Sequence, residues 1–216
     1  PLKNRTQIDA YLAEVTGADI ILLPELFSTG FSVASTHLAE TMNGETLTWM
    51  KTLSEKKKAV LCGSVMIEDK GRVFNRLLWV EPNGRVLYYD KRHLFSLIEE
   101  GKHFTAGTKR LIVEYEGWKI CPMICYDLRF PVFARNDVDY DLLLFLANWP
   151  KPRIAAWDAL LKARAIENQA YVIGLNRVGA DGFNAQYPGH SQVLDPEGDC
   201  ISMAPEYEVG LVELTL

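Results

Sequence analysis

The chain has 216 residues, 48% of them hydrophobic and 24% charged, with a formal net charge of −5. That is the composition of a folded globular protein, long enough for one sizeable domain or two small ones. The acidic balance excludes phosphate-backbone binding as the main task, and no apolar run approaches the roughly 20 residues that cross a bilayer, so neither nucleic acid nor membrane is an expected partner.

In chain order, Ile8, Tyr11, Leu12 and Val15 fall at helical spacing and predict an amphipathic helix that Gly17 ends. "DIILLPE" (Asp19 to Glu25) is short and wholly apolar before Pro24, as expected of a strand covered on both faces. A second helix is predicted over about Glu45 to Lys57, with Leu47, Met50 and Leu53 inward and Lys56, Lys57 and Lys58 at a solvated end. A strand-rich middle follows. "VLCGSVMI" (Val60 to Ile67) is one strand. "VFNRLLWV" (Val73 to Val80) and "RVLYYD" (Arg85 to Asp90) flank Asn83-Gly84, a hairpin signal. "RLIVEY" and "WKICPMIC" flank Glu116-Gly117, a second hairpin. "DLLLFLAN" (Asp141 to Asn148) reads as a buried strand and about Arg153 to Gln169 as a helix. "YVIGLN", "SQVLD" and "VGLVEL" close the chain as strands. Helices alternating with buried strands, then hairpins, imply a mixed α/β (α+β) fold with helices on the outer faces of sheets.

The four cysteines, Cys62, Cys121, Cys125 and Cys200, are scattered and form no C-x-x-C pair. A disulfide scaffold and a zinc site are therefore not expected, and a reducing, cytoplasmic setting is.

Three strands end at reactive side chains: Glu25 after "IILLP", Lys91 after "VLYYD" and Cys125 after "KICPMI". Ligands of layered α/β proteins gather at strand ends. A carboxylate, an ammonium and a thiol meeting there would suit nucleophilic acyl transfer. Glu25 would take the thiol proton, Cys125 would attack a carbonyl carbon, and Lys91 with the Tyr126 N–H would hold the oxyanion. Each residue also has a plainer reading: Cys125 as core filler, Glu25 as a turn cap, Lys91 as one solvated cation of "DKRHL".

The segments around these residues decide between the readings. "LLPELFSTGF", "YYDKRHLF" and "ICYDLRFP" resemble the three signature segments of the nitrilase superfamily, the carbon–nitrogen hydrolases, in the family's order. "ARAIENQAYVIGLNRVG" and "GHSQVLDPEGD" look like its later landmarks. The resemblance implies a four-layer α-β-β-α sandwich that commonly pairs into a homodimer or higher homo-oligomer. It implies Glu25 as general base, Lys91 as oxyanion lysine, Cys125 as nucleophile and Glu100 as a second glutamate orienting Lys91 or water, with Glu99 the weaker candidate. No metal or other cofactor is implied, only a small amide and water. The family begins with a strand before the first helix and ends in a tail that crosses to a partner subunit. Neither is visible here, and both ends are read as trimmed.

Within the superfamily, "CYDLRFPVFARN", "ANWPKPR" and "LLKARAIENQAYV" look most like bacterial omega-amidases, which release ammonia from 2-oxoglutaramate and 2-oxosuccinamate. An amidase acting on deaminated glutathione and a catalytically silent scaffold member are the alternatives. A keto-carboxylate substrate would need a cation or N–H donors; Arg129, Arg177, His190 and Lys102 are candidates, although Arg129 could instead bond Asp127 and brace the turn. Trp149 and Phe31 are candidate apolar walls. His93 and His103 are not expected to partner the cysteine, since Glu takes that role in the family. Arg164, Glu167 and Asn168 are expected on a helix that holds the site together.

Overall fold

The computed structural model describes residues 1–31 and 33–207. The chain forms two compact units, Pro1–Thr108 and Lys109–Leu216.

The first unit contains α1 (Leu2–Leu12), β1 (Ile20–Leu22), α2 (Glu45–Lys57), β2 (Val60–Asp69), β3 (Arg72–Val80) and β4 (Val86–Asp90). Its sheet runs β1-β2-β3-β4, with β1 parallel to β2 and the other pairs antiparallel. One sheet face presents Leu61, Val65, Ile67, Leu78 and Val80 to Leu47, Met50 and Leu53 of α2, with Ile8 and Leu12 of α1 packed alongside. The alternation of a strand puts Cys62, Ser64, Met66, Asn75, Leu77 and Trp79 on the opposite face, and these are buried too. α2 has the bounds and the inward residues that its periodicity predicts.

α1 does not. It stops at Leu12, Tyr11 is half exposed, and Val15 lies beyond the helix. The physical reason is a long-range cap. The Lys57 ammonium, at the end of α2, donates to the carbonyls of Leu12, the last helical residue, of Ala13, its C-cap, and of Val15 beyond it, and so holds the chain where it leaves the helix. β1 is also less covered than its composition suggests: it is an edge strand, and only Ile21 of its three residues is fully buried.

The second unit contains β5 (Val113–Tyr115), β6 (Trp118–Ile124), α3 (Pro131–Ala134), β7 (Leu142–Ala147), α4 (Ile154–Asn168), β8 (Tyr171–Asn176), β9 (Val178–Ala180), β10 (Gln186–Pro188), β11 (Gln192–Leu194) and β12 (Cys200–Met203). Six strands form one sheet, β12-β11-β8-β7-β6-β5, whose centre β6-β7-β8 is parallel; β9 and β10 pair separately. β5 and β6 join through Glu116 and Gly117, both at positive φ, as a two-residue hairpin requires. β5 pairs only with Trp118, Lys119 and Ile120, so Pro122 falls past its end, where β6 is paired with β7. That placement explains how a proline sits inside a strand of the sheet. The predicted strand "VGLVEL" lies outside the described residues. The short strands β9, β10 and β12 were not predicted.

α4 covers the sheet through Trp157, Leu161 and Ala165, which meet Cys121, Met123, Leu143, Phe145 and Val172. Gly174 of β8 makes this packing possible: a Cβ there would lie 2.4 Å from Leu161 Cδ1 and 2.7 Å from Trp157 Cζ2. Among the described residues no helix is long and apolar enough to cross a membrane. Substituting Gly174→Ala is expected to overpack this contact and cost about 1–3 kcal/mol, read as a lower urea midpoint at an unchanged slope; an unaltered midpoint would show that α4 is free to shift outward.

Candidate active site

In the first unit, two strand ends and one short 3-10 turn deliver charged groups to a single buried point. Glu25 follows β1, Lys91 follows β4, and Glu100 opens the 3-10 turn Glu100–Lys102. Lys91 Nζ lies 2.9 Å from Glu25 Oε1 and 3.2 and 3.1 Å from the two oxygens of Glu100. The three side chains are 1%, 1% and 0% exposed. Ions withdrawn from water to this extent persist only when paired and hydrogen-bonded. Burial pushes the Glu100 carboxyl up from its ordinary value; the Lys91 ammonium and the Phe95 N–H, 2.6 Å from Oε2, pull it down, and the Glu25 charge adds to the rise.

The backbone fixes these side chains. The Lys91 N–H donates to the Asn75 carbonyl at 2.9 Å, and the Lys91 carbonyl accepts the Gly107 N–H at 2.9 Å. Gly107 is required here, because a Cβ would stand 2.0 Å from the Asp90 carbonyl oxygen. Beside Glu25, Leu26 adopts the left-handed conformation at φ 48°, held by its N–H donating to Ser64 Oγ at 2.8 Å. Phe31, an expected apolar wall, has its ring centroid 5.5 Å from Lys91 Nζ. Asn75, which the sequence reading did not single out, donates from Nδ2 to Glu25 Oε1 at 2.9 Å. Its signal was present: one amide within the apolar run "VFNRLLWV". Glu99 and Lys102 pair with each other on the surface at 2.7 Å, with more than half of each side chain exposed, and His103 is exposed.

In the second unit, Cys125 is the first residue past β6 and opens the 3-10 turn Cys125–Arg129. Its φ of 45° is a left-handed value that a non-glycine residue adopts only when its surroundings enforce it. Asp127 accepts the Ile124 N–H at 3.1 Å, and Arg164 of α4 donates to the Leu128 carbonyl at 2.7 Å while pairing with Glu167 at 2.7 Å. Asn168 adds a bond to the Asn136 N–H. Arg164, Glu167 and Asn168 lie on α4 as expected, and Arg164 ties this turn to the helix. Cys125 is half-buried, whereas Cys121 and Cys62 are core residues; burial pushes the Cys121 thiol up to about 12 and that of Cys62 higher still.

The remaining candidates are spread through this unit. The half-buried Arg129 guanidinium lies over the Trp149 ring, 5.0 Å from its centroid. Trp149 packs on Trp157 and donates from Nε1 to the Arg153 carbonyl, so it is a core residue with one face toward Arg129. Arg177 lies over Tyr187 at 4.6 Å and donates to the Ala180 carbonyl, bracing the β9-β10 pair. His190, expected as a substrate ligand, has Nδ1 3.0 Å from Asp158 and Nε2 2.9 Å from Glu206, so both ring nitrogens are engaged by acids and its place is that of a brace.

Compared with known proteins, residues 3–216 match the family model described as carbon-nitrogen hydrolase. The chain is 46% identical to the omega-amidase YafV of Escherichia coli (strain K12) over 215 residues, covering 99% of this chain and 83% of that one. It is 36% identical to the 2-oxoglutaramate amidase of Bacillus subtilis (strain 168) over 204 residues, covering 92% and 78%. Among solved structures it is similar to XC1258 from Xanthomonas campestris, a CN-hydrolase superfamily protein with an arsenic adduct in its active site, at 46% identity and a TM-score of 0.93, covering 95% and 81%.

The acid clamp on His190 has a pH signature. Burial opposes protonation, but the hydrogen bonds and charges of Glu206 and Asp158 outweigh it and raise the imidazole above its ordinary value. A histidine raised by folding stabilises the fold fully below its unfolded value of about 6.5, and that contribution fades as pH climbs through the raised value. His190→Gln should therefore lower the urea midpoint clearly at about pH 5.5 and little at about pH 9. An equal loss at both would mean that the imidazole is neutral throughout.

Proposed function

Because the chain belongs to the carbon–nitrogen hydrolase family, we propose that it hydrolyses the terminal amide of a small keto-dicarboxylate monoamide, such as 2-oxoglutaramate or 2-oxosuccinamate, to the keto acid and ammonia. One observation carries the chemistry: a buried ammonium, Lys91, lies between the carboxylates of Glu25 and Glu100. The relatives named omega-amidase and 2-oxoglutaramate amidase support the substrate class.

In this reading Glu25 removes the proton of the Cys125 thiol as sulfur attacks the amide carbon. Lys91 and the Tyr126 N–H take the charge that develops on the carbonyl oxygen. Collapse of the tetrahedral intermediate breaks the C–N bond, Glu25 returns the proton to the departing nitrogen, and ammonia leaves behind a thioester. Water then attacks the thioester, giving its proton to Glu25, and the acid leaves as Cys125 regains a proton. Glu100 holds Lys91 in place through both halves. Phe31 serves as an apolar wall beside Lys91. Arg129, stiffened by stacking on Trp149, is the candidate for the substrate carboxylate, which suits a planar guanidinium.

The reading extends to the whole chain. Residues 1–216 act as one carbon–nitrogen hydrolase domain, in the cytoplasm, as a homodimer or higher homo-oligomer. The single family match from residue 3 to 216 supports the first statement, and the absence of any pairing pattern among the cysteines supports the second.

Ammonia release from keto-acid amides, simple aliphatic amides, nitriles and carbamoyl amino acids tests the assignment. Keto-acid amides should turn over fastest, and equal rates across the panel would remove the substrate class. Cys125→Ala should abolish release. Lys91→Met should lower kcat by roughly 10²–10³, and Arg129→Met should raise KM about 10- to 100-fold, the worth of one hydrogen bond to a charged group.

A further inference from the structure

We propose that Asn75 is a positioning residue that holds the catalytic base, its side chain locking one oxygen of Glu25 while its main chain anchors Lys91. The inference rests on the hydrolase reading above and adds a residue to it. Asn75 lies in β3, opposite Met66 of β2, on a buried face it shares with Leu77 and Trp79. Its Nδ2 donates to Glu25 Oε1 at 2.9 Å, the same oxygen that Lys91 Nζ approaches at 2.9 Å. Its carbonyl accepts the Lys91 N–H at 2.9 Å. One strand residue thus sets the base through its side chain and the cation through its backbone. Oε1 is held from two sides, which fixes how the Glu25 carboxylate is turned.

The cost of this arrangement is visible in the same side chain. Asn75 Oδ1 is buried with no hydrogen-bond partner among the described residues. A side chain present only to fill the core would not bury an unpaired acceptor among apolar neighbours; a leucine of similar size would fill the space without one. A local violation of this kind is expected where a donor is needed for function. Hydrogen bonds to a carboxylate favour its charged form, and replacing Asn75 with an apolar residue would take one such donor away.

Three measurements test the proposal on the full chain. Asn75→Leu should lower kcat about 10- to 100-fold with KM within about twofold, and move the acidic limb of kcat/KM upward by about one unit, the worth of one hydrogen bond to a charged group. Asn75→Asp keeps the shape but sets an acid against Glu25, and should move the limb further up. It also serves if the leucine variant does not fold. In the wild type, the side-chain amide proton signal of Asn75 should move upfield in Glu25→Gln, since a neutral acceptor replaces a charged one. A pH profile that superimposes on the wild type in either variant, with rate loss tracking a lower Tm, overturns the proposal, as does an Asn75 amide signal indifferent to Glu25. If the wild type releases ammonia from no amide, the hydrolase reading fails, and the amide signal still decides whether Asn75 holds Glu25.

Discussion

A single ammonium shared by two buried carboxylates is the constraint around which the first unit is built. Lys91, Glu25 and Glu100 are withdrawn from water almost completely, and no member of such a group tolerates loss of its partners. The trio is also unbalanced: with both acids ionised it holds one positive and two negative charges in a poorly polarisable setting. Burial and the neighbouring carboxylate raise Glu100 accordingly. A cluster with an excess of acid is suited to accept a proton, which is what a thiol must give up before it attacks. The arrangement that costs stability is the one the proposed chemistry uses.

In each unit the backbone next to a candidate site residue departs from its easy conformations or packs without room for a side chain, and a named group supports it. Leu26 is left-handed next to Glu25 and is held by Ser64 from β2. Cys125 is left-handed at the end of β6, where Asp127 ties the turn to Ile124 and Arg164 ties it to α4. Gly107 lies against the Asp90 carbonyl where no side chain fits. Non-glycine residues at positive φ cost of order 1–3 kcal/mol each, and they persist where side chains from other elements over-determine the turn.

What could be read in the sequence follows from how local its cause is. The bounds of α2, the turns at Asn83-Gly84 and Glu116-Gly117, and the strand ends carrying Glu25, Lys91 and Cys125 depend on periodicity and turn chemistry within a few residues. The end of α1 depends on Lys57, more than forty residues away, so Gly17 was a misleading stop. His190 looked available as a ligand because its two acids, Asp158 and Glu206, are distant in the chain. Asn75 stands out as an amide inside a strand, but nothing local names its partner: Glu25 lies past another strand's end, fifty positions earlier. The strands β9, β10 and β12 are three or four residues long, too short for alternation to stand out.

The cysteines show how position, not residue type, creates a candidate nucleophile. Cys62 and Cys121 lie within β2 and β6, fully buried, where the surroundings strongly oppose the thiolate. Cys125 is four positions beyond Cys121, one step past the point where the strand's hydrogen bonding stops. At that step the chain turns through a left-handed residue into a 3-10 turn, and the side chain becomes half-exposed. The same strand thus supplies an inert thiol to its core and delivers another to its end. Moving the turn by one residue would exchange the side chain placed there, so the braces from Asp127 and Arg164 guard the identity of the group at the strand end as much as its geometry.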